Sequence, residues 1–180
     1  MHEAEQPISL RTAIPDDQTF LLELFAGTRD DLSLANLETG QKQLLIELQF
    51  RARQNQYQFA YPKATNSIIL EGVREVGSII VNRAERDIHV VDISLLPECR
   101  NRGIGTKVLR TLLEEALAEA KSVGLQVAVT NRAITFYERL GFSTIKDGGA
   151  YISMVWRPPS QDWELEQYTA RGTESQAATK

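Results

Sequence analysis

The chain has 180 residues, 42% of them hydrophobic and 24% charged, which is typical of one globular domain with a single core. The net charge of -4 argues against bulk binding to nucleic acid or to an anionic membrane, because such binding depends on clustered Lys and Arg. Cys99 is the single cysteine, so an intrachain disulfide and a thiolate metal cluster are both excluded. Without a leader-like N-terminus or a membrane-length apolar run, we expect a cytoplasmic protein with no metal.

The first sixty residues predict one strand and two helices. Apolar and polar residues alternate over residues 8–14, as in a half-buried strand. Pro15 and the two acids after it favour a helix start, and a loop over residues 27–36 leads to a second helix over residues 38–59. The residues predicted to face the core from the two helices are Phe20, Leu21, Leu24 and Phe25, then Leu44, Leu45, Leu48 and Phe50.

The middle of the chain predicts three consecutive strands and a long helix. Residues 66–70, 75–81 and 87–95 are runs of β-branched residues, with a hairpin-like break between the first two. From Thr106 the apolar spacing takes the helical period, and Gly124 is a suitable C-cap. The predicted buried stripe of this helix is Val108, Leu109, Leu112, Leu113, Ala116, Leu117 and Ala120.

The last third predicts a short strand, a short helix and a closing hairpin. The strand covers residues 125–129, and the helix is capped by Asn131 and ended by Gly141. The hairpin pairs residues 142–146 with residues 151–156. An open sheet edge near residues 151–156 could pair across a two-fold axis, so a homodimer is possible.

The element order β-α-α-β-β-β-α-β-α-β-β predicts an α/β fold, with a mixed sheet of about seven strands flanked by about four helices. We expect one domain over residues 1–157. Residues 158–180 are polar and predict a loosely ordered tail, in which Trp163 and Tyr168 are the anchors.

A glycine-rich turn between the third strand of the middle section and the long helix is the segment that favours chemistry. Its glycines allow a ligand to approach the backbone closely, and the first N–H groups of the helix then point at that ligand. Phosphate is the natural partner, with Arg100 and Arg102 adding charge. The turn lacks the Gly-Lys-Ser/Thr order of a Walker loop and the third glycine of a dinucleotide fingerprint. A glycine-rich helix start with no ligand is the alternative.

Two motifs at the right separation make the chain resemble the GNAT acetyltransferase superfamily. The first, Arg100-x-x-Gly103-x-Gly105, is similar to that family's acetyl-CoA pyrophosphate loop. The second begins at Asn131, about thirty residues downstream, and its further matching residues are Ala133, Phe136, Tyr137, Gly141 and Phe142. The resemblance covers roughly residues 75–156, and the element order extends it to Ile8.

The resemblance implies a role for each matching position. Backbone groups of Ile93 and Leu95 would pair with the pantetheine arm of acetyl-CoA, and Asn131 would touch that arm. Tyr137 would protonate the leaving thiolate, although it could instead be a packed aromatic. Together with Arg100, the amides that would hold the pyrophosphate belong to Arg102, Gly103, Ile104, Gly105 and Thr106. The reaction implied is direct transfer of an acetyl group to a primary amine of a small molecule or peptide.

The general base is where the chain departs from the family. Family members often carry a Glu on the fourth strand, and the corresponding position here is His89, whose ordinary pKa near 6.5 suits base catalysis. Asp92 is close in sequence, but two-residue alternation places it on the other face of the strand, and we rank it behind His89. His89 could equally be structural, with water removing the proton.

The acceptor site is less defined by sequence. Residues 1–60 contain five Lys or Arg against nine Asp or Glu, which suits a cationic amine but also suits an ordinary solvated surface. Phe50, Tyr57, Phe59 and Tyr61 could line an acceptor pocket. The alternative function is an acyl-CoA-binding or sensing module without turnover, which the missing Glu favours and Tyr137 disfavours.

Overall fold

The computed structural model describes residues 6–29 and 38–159. Trp163, Tyr168 and most of the loop predicted over residues 27–36 lie outside these ranges. Strands and α-helices follow one another in the predicted order, with short 3-10 turns at Pro15–Asp17 and Pro97–Cys99. The elements are β1 (Ile8–Thr12), α1 (Gln18–Ala26), α2 (Thr39–Ala60), β2 (Thr65–Glu71), β3 (Arg74–Arg83), β4 (Asp87–Leu95), α3 (Ile104–Ala118), β5 (Ser122–Ala128), α4 (Ile134–Arg139), β6 (Ser143–Asp147) and β7 (Tyr151–Trp156).

The seven described strands form one mixed sheet in the order β1-β2-β3-β4-β5-β7-β6. All neighbours are antiparallel except β4 and β5, which are parallel because α3 carries the chain back between them. The predicted α/β fold is therefore confirmed. A sheet edge was expected near Tyr151–Trp156. That strand, β7, pairs with β5 on one side and with β6 on the other, so the adjacent strand β6 forms this edge of the described sheet.

Helices cover the two faces of the sheet unequally. Residues of α3 and α4 join the sheet in a large apolar core, which includes Leu109, Leu112, Val123 and Met154. On the opposite face, α1 and α2 contribute to a second cluster whose buried members are Leu21, Phe25, Phe50 and Ile68. Burial of apolar area, the main driving force for folding, is therefore concentrated on the first face.

The apolar stripe predicted for α2 is mostly wrong. Leu44 and Leu48 are 59% and 55% exposed, and Phe50 is the buried residue of this helix. The other α2 side chain that packs against the smaller core is Ile46, which is partly buried. The helix contacts its neighbours along a narrow strip, and its polar residues surround that strip, so apolar spacing alone did not identify the packed face.

The long helix α3 ends earlier than predicted. Its last helical residue is Ala118, and Gly124 lies inside β5 rather than at a C-cap. Ala120 takes the left-handed conformation (φ 53°), and the Lys121 N–H donates to the Ala116 carbonyl 2.8 Å away, which closes the last turn. Leu117, which was predicted in the buried stripe, is 52% exposed, and β5 begins five residues later at Ser122.

Candidate active site

Strands β4 and β5 separate partway along their length. Their parallel pairing runs from Asp87 and Ser122 to Val90 and Leu125 and then stops, while β4 continues beside β3 as far as Leu95. On its other edge, β5 stays paired with β7 from Val123 to Ala128. This divergence opens a gap in the sheet, and it leaves backbone groups of the last part of β4 without a β5 partner.

The backbone of Ile93 and Leu95 faces this gap. The Leu96 N–H donates to the Val76 carbonyl on β3 at 3.0 Å, so residue 96 forms a hydrogen-bonded pair with that strand. In an antiparallel ladder, alternate residues direct their N–H and C=O groups to opposite sides, so those of Leu95 and Ile93 point away from β3. Two of the sequence-predicted positions therefore present backbone groups to the gap.

The N-terminus of α3 lies at the same end of β4. Gly103 is its N-cap in the left-handed conformation (φ 80°), and a β-carbon built there would meet nothing within 4 Å. A β-carbon at Gly105 would lie 3.6 Å from Phe136 and 3.8 Å from Leu95, so α3, α4 and β4 converge here. The first N–H groups of this 15-residue helix have no partner in the preceding turn and carry partial positive charge.

The two arginines of the loop are held by other parts of the chain. Arg100 donates through Nε to the Leu95 carbonyl (3.0 Å) and through Nη2 to the Gly27 carbonyl (2.9 Å), which ties the loop to the end of α1. Arg102 forms an ion pair with Glu71, at 2.8 Å, and its side chain is 46% exposed. Arg102 therefore has room to turn, whereas Arg100 braces the loop.

Tyr137 on α4 is buried at 8% exposure and packs between Phe136 and Phe142, with ring centroids 5.3 and 5.8 Å away. Burial, together with the negative charge of Asp92, raises the pKa of Tyr137 to about 12. The phenol therefore keeps its proton at neutral pH. Its hydroxyl makes no hydrogen bond to another residue of the described ranges, so it is available to a ligand.

Asn131 shapes the loop that leads into α4. Its Oδ1 accepts a hydrogen bond from the Ala133 N–H at 2.9 Å, and the helix begins at Ile134. The N-cap of the helix is Ala133, two residues later than predicted, so the Asn131 side chain caps the turn before the helix and not the helix itself. Gly141, with φ 91°, follows the end of the helix as predicted.

A β-bulge in β4 overturns the expected orientation of Asp92. Val90 pairs with Val81, but Asp92 pairs with the next β3 residue, Ile80, so Val91 is the extra residue. The bulge shifts the alternation by one position and brings His89 and Asp92 to the same face of the sheet, under α1 and α2. The prediction that they face opposite sides was wrong, because alternation assumes an uninterrupted ladder.

Asp92 lies at the centre of this face, in the part of β4 that has left β5. Its Oδ2 accepts hydrogen bonds from Arg53 on α2 (3.2 Å) and from the Ser94 hydroxyl (3.3 Å). Burial raises the pKa of Asp92, and the Arg53 charge opposes that shift. The charge of Asp92 in turn raises the pKa of Tyr137 and of Tyr57, which places it within electrostatic range of both phenols.

His89 lies further from the gap than Asp92 does. It is in the section of β4 that still pairs with β5, opposite Gly124. Its ring stacks on Tyr61 with centroids 5.1 Å apart and planes at 17°. Burial lowers the pKa of His89, so the neutral imidazole predominates at neutral pH. Of the predicted aromatic lining, Phe50 is buried near this face, whereas the side chain of Phe59 is 92% exposed.

A sequence profile described as an acetyltransferase (GNAT) domain matches residues 63–144. An uncharacterised N-acetyltransferase of Methanocaldococcus jannaschii is 31% identical over 110 residues, which cover 56% of this chain and 70% of the relative. The chain belongs to the GNAT acetyltransferase family. The match includes β3, β4 and both motifs, so the gap in the sheet and the helix N-terminus beside it belong to the part that identifies this GNAT protein.

Solved structures agree on the fold of this GNAT protein. The PaiA N-acetyltransferase of Thermoplasma acidophilum, crystallised with coenzyme A, has a TM-score of 0.63 at 16% identity and aligns over 84% of this chain and 99% of that one. The ribosomal-protein-S18-alanine N-acetyltransferase of Escherichia coli has a TM-score of 0.59 at 15% identity, over 84% and 94% of the two chains. At these identities the likeness concerns the fold.

The described ranges contain no candidate metal cluster and no candidate membrane span. No group of three or more His, Cys, Asp or Glu residues within them could hold a metal ion. None of the helices there is long and apolar enough to cross a membrane.

Proposed function

We propose that this GNAT protein transfers an acetyl group from acetyl-CoA to a primary amine of a small molecule or peptide. One observation carries the proposal: the gap between β4 and β5, the N-terminus of α3 and the buried Tyr137 hydroxyl occur together. The gap offers backbone groups to an amide-bearing arm, the helix end offers N–H groups to phosphates, and the phenol offers a proton.

The residues present fit coenzyme A. Gly103 leaves open space where a side chain would stand, and its positive φ turns the chain into the helix. The amides of residues 102–106 would hold the pyrophosphate, with Arg102 swinging from Glu71 to assist. Ile93 and Leu95 would pair with the pantetheine arm through their backbone, and Asn131 would contact it. Acetyl-CoA would supply the acetyl group as a thioester.

Tyr137 is the proposed general acid. Its raised pKa, about 12, keeps the proton on the phenol until negative charge develops beside it. Starting from an ammonium ion, transfer forms the amide bond and releases a thiol, so two protons must leave the nitrogen and one proton must reach the sulfur. The Ile93 or Leu95 N–H is the proposed donor to the oxygen that becomes negative during transfer.

Asp92 becomes our first candidate for the general base, with His89 as the second. Both side chains lie on the face of the sheet under α1 and α2. Asp92 is in the part of β4 that has diverged from β5, and its charge raises the pKa of Tyr137. His89 is in the part of β4 that still pairs with β5, and its ring stacks on Tyr61. Burial raises the pKa of Asp92, which strengthens it as a base toward an ammonium.

One observation favours the alternative, an acyl-CoA-binding module without turnover. Arg53 pairs with Asp92 and leaves little open space beside that carboxylate. Both candidate functions require the coenzyme A site, so binding is tested before turnover. The cytoplasm remains the proposed location, on the composition and the single buried cysteine.

The test is calorimetric titration of coenzyme A into the wild type, Gly103→Asn and Gly103→Asp. Asn and Asp both tolerate a positive φ and have nearly the same shape, so the two variants differ by one negative charge. We expect Gly103→Asn to bind within about threefold of the wild type and Gly103→Asp to bind at least about tenfold more weakly, because a carboxylate would face the phosphates. Equal binding by the two variants would remove the pyrophosphate site from this loop.

A further inference from the structure

A small cavity lies between the sheet and the two helices α1 and α2. Its volume is about 30 Å³, which is room for one or two water molecules. The floor is formed by β-strand residues that include Ser78 and Asp92, and the roof by residues of the helices that include Phe25, Arg53 and Tyr57. The Arg53 side chain enters this space from α2 and is 28% exposed.

The guanidinium of Arg53 is held as a bound cation would be. Its Nη2 lies 3.2 Å from Asp92 Oδ2, which is a charge-assisted contact. Its central carbon lies 4.7 Å from the centre of the Phe25 ring and 5.5 Å from that of Tyr57, both within the range of cation–π attraction. A carboxylate and two aromatic faces around a positive group are the ordinary features of a site for organic cations.

The residues around the cavity also have hydrogen-bond acceptors that are not used within the described ranges. Asn66 is one of the residues that line this cavity, and its Oδ1 atom is fully buried and receives no hydrogen bond from the described residues. Asp92 takes both its hydrogen bonds on Oδ2, so Oδ1 receives none from within the described ranges. A primary ammonium group has three N–H donors for these acceptors, whereas Arg53 donates only one hydrogen bond to them.

The cavity is too small to admit an acceptor while Arg53 is in place. A group that reaches Asp92 from the side of α1 and α2 must therefore take the space of the guanidinium. We propose that this cavity is a cation-binding site that Arg53 occupies in the free protein, and that the acceptor enters as an ammonium ion by displacing Arg53 from Asp92. The part concerning the acceptor rests on the proposed function; the part concerning the cavity does not.

A larger groove beside the cavity has room for the remainder of such an acceptor. Its volume is about 370 Å³, and it shares Phe50 and Gln54 with the cavity. Glu47 and Leu22 are among its other lining residues, so the groove is mixed in polarity. An alkyl chain attached to the ammonium can therefore lie against partly apolar walls.

The same arrangement has a consequence for selectivity. Displacing a guanidinium from a carboxylate requires another positive charge, because a neutral group would leave Asp92 buried without its partner. Alkylamines are charged at neutral pH, but arylamines, which are far weaker bases, are not. The wild type should therefore favour alkylamines over arylamines, and loss of the Arg53 charge should narrow that preference.

The experiment uses Arg53→Ala, which empties the space of the guanidinium, and titrates it with ethylguanidinium. Ethylurea, neutral and similar in shape, is the matched probe, and Arg53→Ala combined with Asp92→Asn is the matched variant. We expect Arg53→Ala to bind ethylguanidinium at least about tenfold more tightly than does the wild type, and the double variant to lose that gain. Arg53→Gln, which keeps more of the stem, serves if the alanine variant does not fold.

Two results would overturn the proposal. One is equal affinity of the folded Arg53 variant for ethylguanidinium and ethylurea, which would mean that charge is not recognised. The other is retention of ethylguanidinium binding after Asp92→Asn. Neither measurement involves coenzyme A, so failure here leaves the acetyltransferase proposal standing, and failure of coenzyme A binding leaves the cation site standing.

Discussion

The face of the sheet under α3 and α4 is packed with apolar side chains, whereas the face under α1 and α2 has the Arg53–Asp92 ion pair near its middle. The first holds 19 buried residues in one cluster and the second holds four in its own, among the described residues. A close-packed apolar face resists rearrangement, and it positions the N-terminus of α3 and Tyr137 rigidly. The other face has fewer packed groups and a charged contact, so we expect its side chains to move more readily when a ligand binds.

The largest expected effect that tests this difference between the two faces is the loss of catalysis when Tyr137 is changed. We expect Tyr137→Phe to lower kcat by about 10²- to 10³-fold, because the phenol proton is lost while the ring keeps its packing against Phe136 and Phe142. Coenzyme A affinity and Tm should remain close to those of the wild type. The measurement is steady-state turnover beside calorimetric binding. Undiminished kcat would mean that Tyr137 is only a core aromatic. Absence of turnover by the wild type would instead support the binding-module alternative.

The second prediction concerns the polar face and its pH dependence. The raised pKa of Asp92 means that protonation removes the proposed base, so kcat/KM should fall as pH falls through that pKa. Asp92→Asn should lower kcat/KM by about 10²-fold and abolish this fall at low pH, which is the acidic limb of the pH profile. His89→Gln should cause a smaller loss and keep the limb. If the limb disappears with His89→Gln and survives Asp92→Asn, the order of the two candidates is reversed.

The third and smallest prediction compares the two cores through stability. Leu109 is fully buried in the larger cluster and Leu21 is 7% exposed in the smaller one. We expect Leu109→Ala to lower the free energy of unfolding by about 3–5 kcal/mol and Leu21→Ala by about 2–3 kcal/mol. Leu44→Ala, at an exposed position of α2, should change it by less than about 0.5 kcal/mol. Denaturant unfolding measures all three, and equal costs for Leu109 and Leu21 would contradict the difference between the faces.

The larger core was largely predictable because it has a local signature. The helical spacing of Val108, Leu109, Leu112 and Leu113 identified the buried side of α3, and the glycine pattern before it located the helix start to within two residues. The smaller core was not predictable in the same way. The apolar spacing in α2 placed Leu44 and Leu48 in the core, but a helix with so narrow a contact buries only the few positions that its neighbours reach.

The element order, the mixed sheet and the two motifs of the proposed acetyl-CoA site followed from the sequence, because each depends on patterns within a few neighbouring residues. The position of Asp92 depended on the tertiary structure. Whether β4 contains a bulge is decided by how it pairs with β3, and that extra residue moved Asp92 to the face of His89. The meeting of Arg53 with Asp92 was likewise hidden, since 39 residues separate them and only packing of α2 over the sheet joins them. Local periodicity determines which side of an element is apolar; contacts between distant elements decide which polar groups share a site.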